Sequence, residues 1–147
     1  MPILSEIDAI RDLLSGSRTV AVLGAHIEAI RAAHYVPAYL YDQGYGIIPV
    51  NPHYLGQELW NHRVIATVGD IDVPVDIVNV FRPNHALPDH LPELLAMDPL
   101  PRAVWFQLGI RDDRVAGALD AAGIAVVQDR CTLADHRRWA LGAPRRS

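Results

Sequence analysis

Five short apolar runs constrain this chain more than any other feature. They are "TVAVLG" (19–24), "YGIIPVN" (45–51), "VDIVNVF" (75–81), "AVWFQLG" (103–109) and "IAVVQD" (124–129). Each is nearly continuous rather than alternating, as expected of strands buried on both faces. Helical patterns lie between most of them: residues 35–43 up to Gly44, residues 84–97 up to Pro99, and residues 112–122 up to Gly123. Such alternation predicts an α/β fold, with a parallel sheet covered by helices on both faces. Half of the residues are apolar, enough for a sizeable core, and 147 residues suit one domain. No internal repeat or linker interrupts residues 1–147.

Outside the runs the signals are weaker. Ile3, Leu4, Ile7, Ile10 and Leu14 recur at helical spacing, Ser5 and Asp8 resemble a capping box, and Gly16 is a stop. Residues 5–15 are therefore expected to form an amphipathic helix, within an N-terminal helical segment 1–17. The stretch 52–74 is irregular, with one short strand expected near residues 64–66. The tail 140–147 is expected to fray. Two prolines carry positional demands. Pro49 lies inside a strand pattern and needs a place where no ladder donor is missed. Pro37 is expected in a first helical turn, which puts the second helix start near residues 34–37.

Charge and cysteine content exclude several classes. Thirteen basic and seventeen acidic residues give a formal charge of −4, against the basic excess of a non-specific nucleic-acid binder. No apolar run approaches the ~18 residues of a membrane span. Without an evident signal peptide, and with the single cysteine Cys131, the expectation is a cytoplasmic protein that touches neither membrane nor nucleic acid. Seven histidines invite a metal reading, but none stands in a zinc-binding spacing, so no metal site is expected. Asp70, Asp72 and Asp76 are read as solvent-facing residues flanking a strand edge. No Ser-His-Asp context exists, and no catalytic residue is assigned.

In open α/β sheets, ligands sit beyond the carboxyl ends of the strands. Those ends read Gly24, Asn51-Pro52, Phe81-Arg82, Gln107 to Gly109, and Asp129 to Cys131. The first resembles a nucleotide-binding turn in "VAVLGAHIEAIRAAHYV" (20–36), yet it has one glycine where a dinucleotide fingerprint has three. A plain structural turn is the competing reading. Arg82 directly follows "VNVF" and is read as a ligand cation, against the alternative of pairing with Asp76 or Asp89. Trp105 and Phe81 are read as core. NAD-binding folds usually carry an acid at the second strand end; here Asn51 favours a ribose that bears phosphate.

Taken together, "AVLGAH" (21–26), "IRAAHYV" (30–36), "GYGIIPVNP" (44–52), "VDIVNVFR" (75–82), "AVWFQLG" (103–109) and "AGIAVVQDRC" (122–131) resemble the stand-alone bacterial CoA-binding proteins. These are similar to the CoA-binding domain of the succinyl-CoA synthetase α-subunit. The resemblance implies a Rossmann-like three-layer sandwich with a mostly parallel sheet of five or six strands. It implies a coenzyme A or acyl-CoA cofactor lying over the first strand turn and the second strand end. The residues it marks are Gly24, Ala25, His26, Arg31 and His34 around the phosphates, Asn51 and Pro52 at the adenosine, and Phe81, Arg82, Gln107 and Gly109 along the groove.

Two departures fall in the phosphate loop: His26 stands where the family has Ser, and Ala32-Ala33 where it has Pro-Ser. His26, His34 and Arg31 are the donors available in compensation. Cys131, beside Arg130, is the candidate redox thiol. The expected function is CoA binding with no established reaction. An NAD(P)-linked redox enzyme or sensor is the first alternative. A subunit completing an acyl-CoA ligase or transferase in trans is the second, although nothing in the sequence indicates a protein partner.

Overall fold

The computed structural model describes residues 3–144. All five apolar runs are strands: β2 (Thr19–Leu23), β3 (Gly46–Val50), β6 (Ile77–Val80), β7 (Ala103–Phe106) and β8 (Ala125–Val127). They form one parallel sheet in the order β1-β8-β7-β6-β2-β3, whose sixth strand is β1 (Ile3–Leu4). β1 corrects the reading of residues 1–17 as helical throughout, insofar as those residues are described. Helix α1 covers Ile7–Ser15, and its N-cap is Glu6 with no side-chain cap bond, so the expected Ser5–Asp8 box does not form. Two residues paired to β8 are too few for a periodicity to reveal.

Helices α1, α2 (Ala32–Asp42) and α5 (Thr132–Arg138) cover one face; α3 (Leu87–Leu95) and α4 (Asp113–Ala121) cover the other. Strand residues alternate between the two cores. Val20, Val22, Ile77 and Trp105 meet Ile10, Leu14 and Leu40 on the first face. Ala21, Leu23, Val78 and Val80 meet Leu87, Leu94 and Leu119 on the second. This is the expected Rossmann-like three-layer sandwich, and the sheet changes direction of growth between β2 and β6. Trp105 is fully buried as read, whereas Phe81 is only half-buried.

The prolines show how sequence breaks are absorbed. β3 is an edge strand. Its Gly46 N–H points to β2, so Pro49 faces outward, where its carbonyl accepts from Ile65 N–H at 3.1 Å and no donor is missed. Ile65 forms a single parallel bridge with Val50, and the short antiparallel hairpin is earlier, β4 (Glu58–Leu59) with β5 (His62–Arg63). The strand expected at 64–66 is thus reduced to that bridge.

Pro37 corrects the expected helix start. α2 begins at Ala32, which places Pro37 inside the helix rather than in its first turn. A proline there leaves the carbonyl four residues earlier without its donor. That carbonyl belongs to Ala33, and it accepts from the backbone N–H of His26 at 3.2 Å. The break in α2 therefore ties down the loop after β2.

The C-terminal segment is also better anchored than expected. Residues 140–144 include Leu141, packed on the core, and the Gly142 carbonyl, which accepts from His136 Nε2 at 2.8 Å. Residues 145–147 of the expected frayed tail lie outside the described residues. α5 itself has no counterpart among the helices read from sequence.

Candidate functional site

The carboxyl ends of β2, β3 and β6 enclose a cavity of about 390 Å³ at the point where the sheet changes direction. Leu23, Gly24 and His26 come from β2 and its loop, Val50 to Tyr54 from β3 and the turn after it, Arg82 from the end of β6, and His90 from α3. The lone glycine has a specific task. Gly24 has φ +95°, and a Cβ there would stand 3.0 Å from the Phe81 carbonyl oxygen and 3.1 Å from Arg82 Cδ. Only glycine lets the chain leaving β6 pass so near, and that passage carries Arg82 into the cavity. The N–H groups of Gly24 and Ala25 are both directed to the Val50 carbonyl, at 2.9 and 3.3 Å.

Asn51 joins the two walls. Its Nδ2 donates to the Ala25 carbonyl at 2.9 Å, and its Oδ1 accepts from His53 N–H at 3.0 Å. The side chain read as a selector for phosphorylated ribose is thereby a fastener between the β2 loop and the 52–54 turn. His26 is fixed as tightly. A backbone N–H can only donate, so the 3.0 Å bond from Glu28 N–H makes His26 Nδ1 an acceptor. The neutral ring then carries its proton on Nε2 and donates to Tyr54 Oη at 3.1 Å. His34 Nδ1 donates to the His26 carbonyl at 2.7 Å.

Arg82 pairs with neither Asp76 nor Asp89. Its Nε donates to His90 Nε2 at 3.2 Å, and His90 Nδ1 faces Glu93 Oε2 at 3.0 Å. Among the described residues no carboxylate lies within ion-pair distance of Arg82, and no carboxylate lines the cavity. Asp76 is occupied at the opposite edge of the sheet, where Oδ2 accepts from Arg18 and Thr19 N–H at 2.7 and 3.1 Å. Asp70 caps the short turn 68–70 through Thr67.

The remaining sequence candidates stand apart from the cavity. Arg31 is the N-cap residue of α2, 62% exposed, with Glu28 at 3.6 Å. Gln107 is buried: its Oε1 accepts from Asn79 Nδ2 at 3.2 Å. Gly109 donates its N–H to Asp129 Oδ1 at 2.7 Å. Cys131 caps α5, its Sγ accepting from Ala134 N–H at 3.4 Å. A smaller cavity of about 240 Å³ opens at this end of the sheet, between Ile3 to Ser5, Ile10 and residues 128–130. Its two arginines are already paired, Arg111 with Asp113 at 3.0 Å and Arg130 with Asp135 at 2.7 Å. The bond to Asp135 raises the Arg130 pKa still further, against the opposing effect of burial.

Sequence reasoning named Gly24, His26, Asn51, Pro52 and Arg82 of this lining and missed His53, Tyr54 and His90. The available signal for His90 was its i,i+3 spacing to Glu93 within a helical pattern. Among the described residues no group of three or more His, Cys, Asp or Glu is arranged to hold a metal, and no helix is long and apolar enough to cross a membrane.

The fold has solved counterparts. A structure from Thermus thermophilus is 49% identical, with a TM-score of 0.86, covering 91% of this chain and 98% of that one. A hypothetical protein from Pyrococcus horikoshii is 26% identical, with a TM-score of 0.83, covering 94% and 96%. The protein YneT of Bacillus subtilis is 34% identical over 127 residues, which is 86% of this chain and 91% of YneT. The model of the CoA binding domain matches residues 18–137, from the start of β2 through nearly all of α5. On that match the chain belongs to the CoA-binding domain family.

Proposed function

We propose that the cavity at the ends of β2, β3 and β6 receives the phosphorylated nucleotide end of coenzyme A or an acyl-CoA, and that the protein is a binding module without a complete active site. One observation carries this reading. In a chain of net charge −4, the cavity collects Arg82, His26, His53 and His90 and no carboxylate. An anion entering it meets the terminal nitrogens of Arg82 and the ring of His53, which take no hydrogen bond among the described residues, in a concave site that strengthens their field. Its volume of about 390 Å³ suits part of CoA, with the rest extending over the surface. Gly24, Ala25, His26, Asn51, Pro52, Phe81 and Arg82 form or border this seat. Arg31 and His34 then serve the phosphates from the α2 end, while Gln107 and Gly109, each bonded within the protein at the end of β7, take no part in the seat.

The missing acid at the β3 end also sets this site against plain NAD, whose ribose hydroxyls want an acceptor. The test is a calorimetric series. CoA is expected to bind more tightly than dephospho-CoA, and dephospho-CoA more tightly than NAD. Native mass spectrometry of protein purified from cells should show a carried ligand of CoA-type mass. NAD binding as well as or better than CoA would overturn the reading.

A further inference from the structure

Arg82, His90 and Glu93 form a chain that runs from the cavity into the flank of α3. An arginine can only donate, so the 3.2 Å contact requires a lone pair on His90 Nε2. The neutral ring then holds its proton on Nδ1 and donates it to Glu93 Oε2 at 3.0 Å. Glu93 is steadied in turn, because its Oε1 accepts from Val68 N–H at 3.4 Å. His90 and Glu93 are 20% and 27% exposed, so both are shielded without being sealed.

This arrangement conflicts with an anionic guest. A phosphate oxygen offers only lone pairs, and His90 Nε2 in this state offers another. A proton on Nε2 removes the conflict. The imidazolium can no longer accept from Arg82, so the guanidinium is released, and two cationic donors stand side by side facing the cavity. Glu93 remains on Nδ1 and stabilises the charged ring. The other groups around His90 offer no substitute. Across the cavity stand His26, held by Glu28 and Tyr54, and the exposed His53. Asp89 and His85 are exposed, and Asp70 of the turn against α3 is used on Thr67. α4, packed beside α3, buries only Val115, Ala116 and Leu119.

We infer that His90 is a proton-gated phosphate contact: the site binds a phosphorylated ligand together with one proton, taken up on His90 Nε2. The inference rests on the binding reading above and adds its proton linkage. Histidine is the side chain whose charge changes between about pH 5 and 8, so affinity should fall as pH rises through neutrality.

The experiment is calorimetry of dephospho-CoA in buffers of different ionisation heat. This ligand is the right probe because its pyrophosphate has no group titrating near neutrality. Wild type should take up close to one proton near pH 7.5, and its association constant should fall roughly tenfold between about pH 6.5 and 8. In His90→Asn both the uptake and the slope should vanish. In Glu93→Gln, where the ring keeps an acceptor but loses the charge, the decline should move to lower pH. Thermal melts establish that each variant is folded, and Glu93→Gln carries the test if His90→Asn is not.

Binding of dephospho-CoA to wild type without proton uptake overturns the inference and leaves the binding reading standing. So does uptake that persists in His90→Asn, which would assign it to His26 or His53. Failure of both CoA and dephospho-CoA to bind anywhere between about pH 5.5 and 8.5 overturns the binding reading, and this inference with it.

Discussion

Two stretches of the same sheet edge carry similar polar sequences and use them in opposite ways. At the ends of β7 and β8, the polar groups are satisfied by one another. Asn79 Nδ2 donates to the Trp105 carbonyl and to Gln107 Oε1, and Asn79 Oδ1 accepts from Thr132 Oγ1 at 3.0 Å. Trp105 Nε1 donates to the Arg130 carbonyl at 2.8 Å, and Arg130 forks onto Asp135 at 2.7 and 2.9 Å. At the ends of β2, β3 and β6 the cation Arg82 has, among the described residues, only an imidazole for a partner. On the proposed reading, polar strand ends make a ligand seat only where the chain withholds the matching group. The first region should respond to mutation in stability, and the second in binding.

The largest effect should come from the closed region. Asp135 is 3% exposed and accepts from both Arg130 and Arg138. Asp135→Ala leaves Arg130 partly buried without its counter-ion, and should cost about 3 kcal/mol in denaturant unfolding. CoA affinity of the folded fraction should stay within twofold of wild type. A marked loss of affinity would dissolve the distinction between the two regions.

Arg82→Ala should do the reverse. It removes the cavity's arginine and should weaken CoA by about 1.5–3 kcal/mol, roughly 10- to 160-fold, by calorimetry. Its unfolding midpoint should barely move, since among the described residues Arg82 has no buried carboxylate to orphan. Thr132→Val leaves Asn79 Oδ1 without its donor in a site where both residues are buried. Its cost should be about 1–2 kcal/mol of stability, with unchanged CoA binding. The smallest effect should belong to Arg31→Ala. At 62% exposure and already beside Glu28, this arginine should contribute under about 1 kcal/mol to CoA binding, and that contribution should fade with added salt.

The strands were legible because sheets covered on both faces leave continuous apolar runs, and β2, β3, β6, β7 and β8 all carry one. β1 was not, since two residues hold no period and its pairing with β8 spans nearly the whole chain. Pro37 misled for a physical reason. The rule against proline inside helices assumes that the freed carbonyl stays orphaned, whereas His26 N–H supplies the missing donor across a loop. Site legibility followed the same line. Strand ends pointed to Gly24, Asn51 and Arg82, because topology alone brings such ends together. His90 was hidden, because it reads as one more polar residue in "LPDHLPELL" until α3 is laid against the end of β6. Gln107 and Gly109 drew attention for the same reason as Arg82, and only their bonds to Asn79 and Asp129 in the folded chain distinguish their setting from a ligand's.

On the proposed reading, the phosphorylated ligand enters at β2, β3 and β6 and not at the ends of β7 and β8. A crystal structure of the protein grown with CoA tests it most directly. Nucleotide density is expected between Gly24, the Asn51-Pro52 turn and Arg82, with a phosphate oxygen within hydrogen-bond distance of the Arg82 guanidinium. Density for the nucleotide among Gly109, Arg111 and Asp129, with the Arg82–His90 contact intact and the first cavity empty, would contradict it.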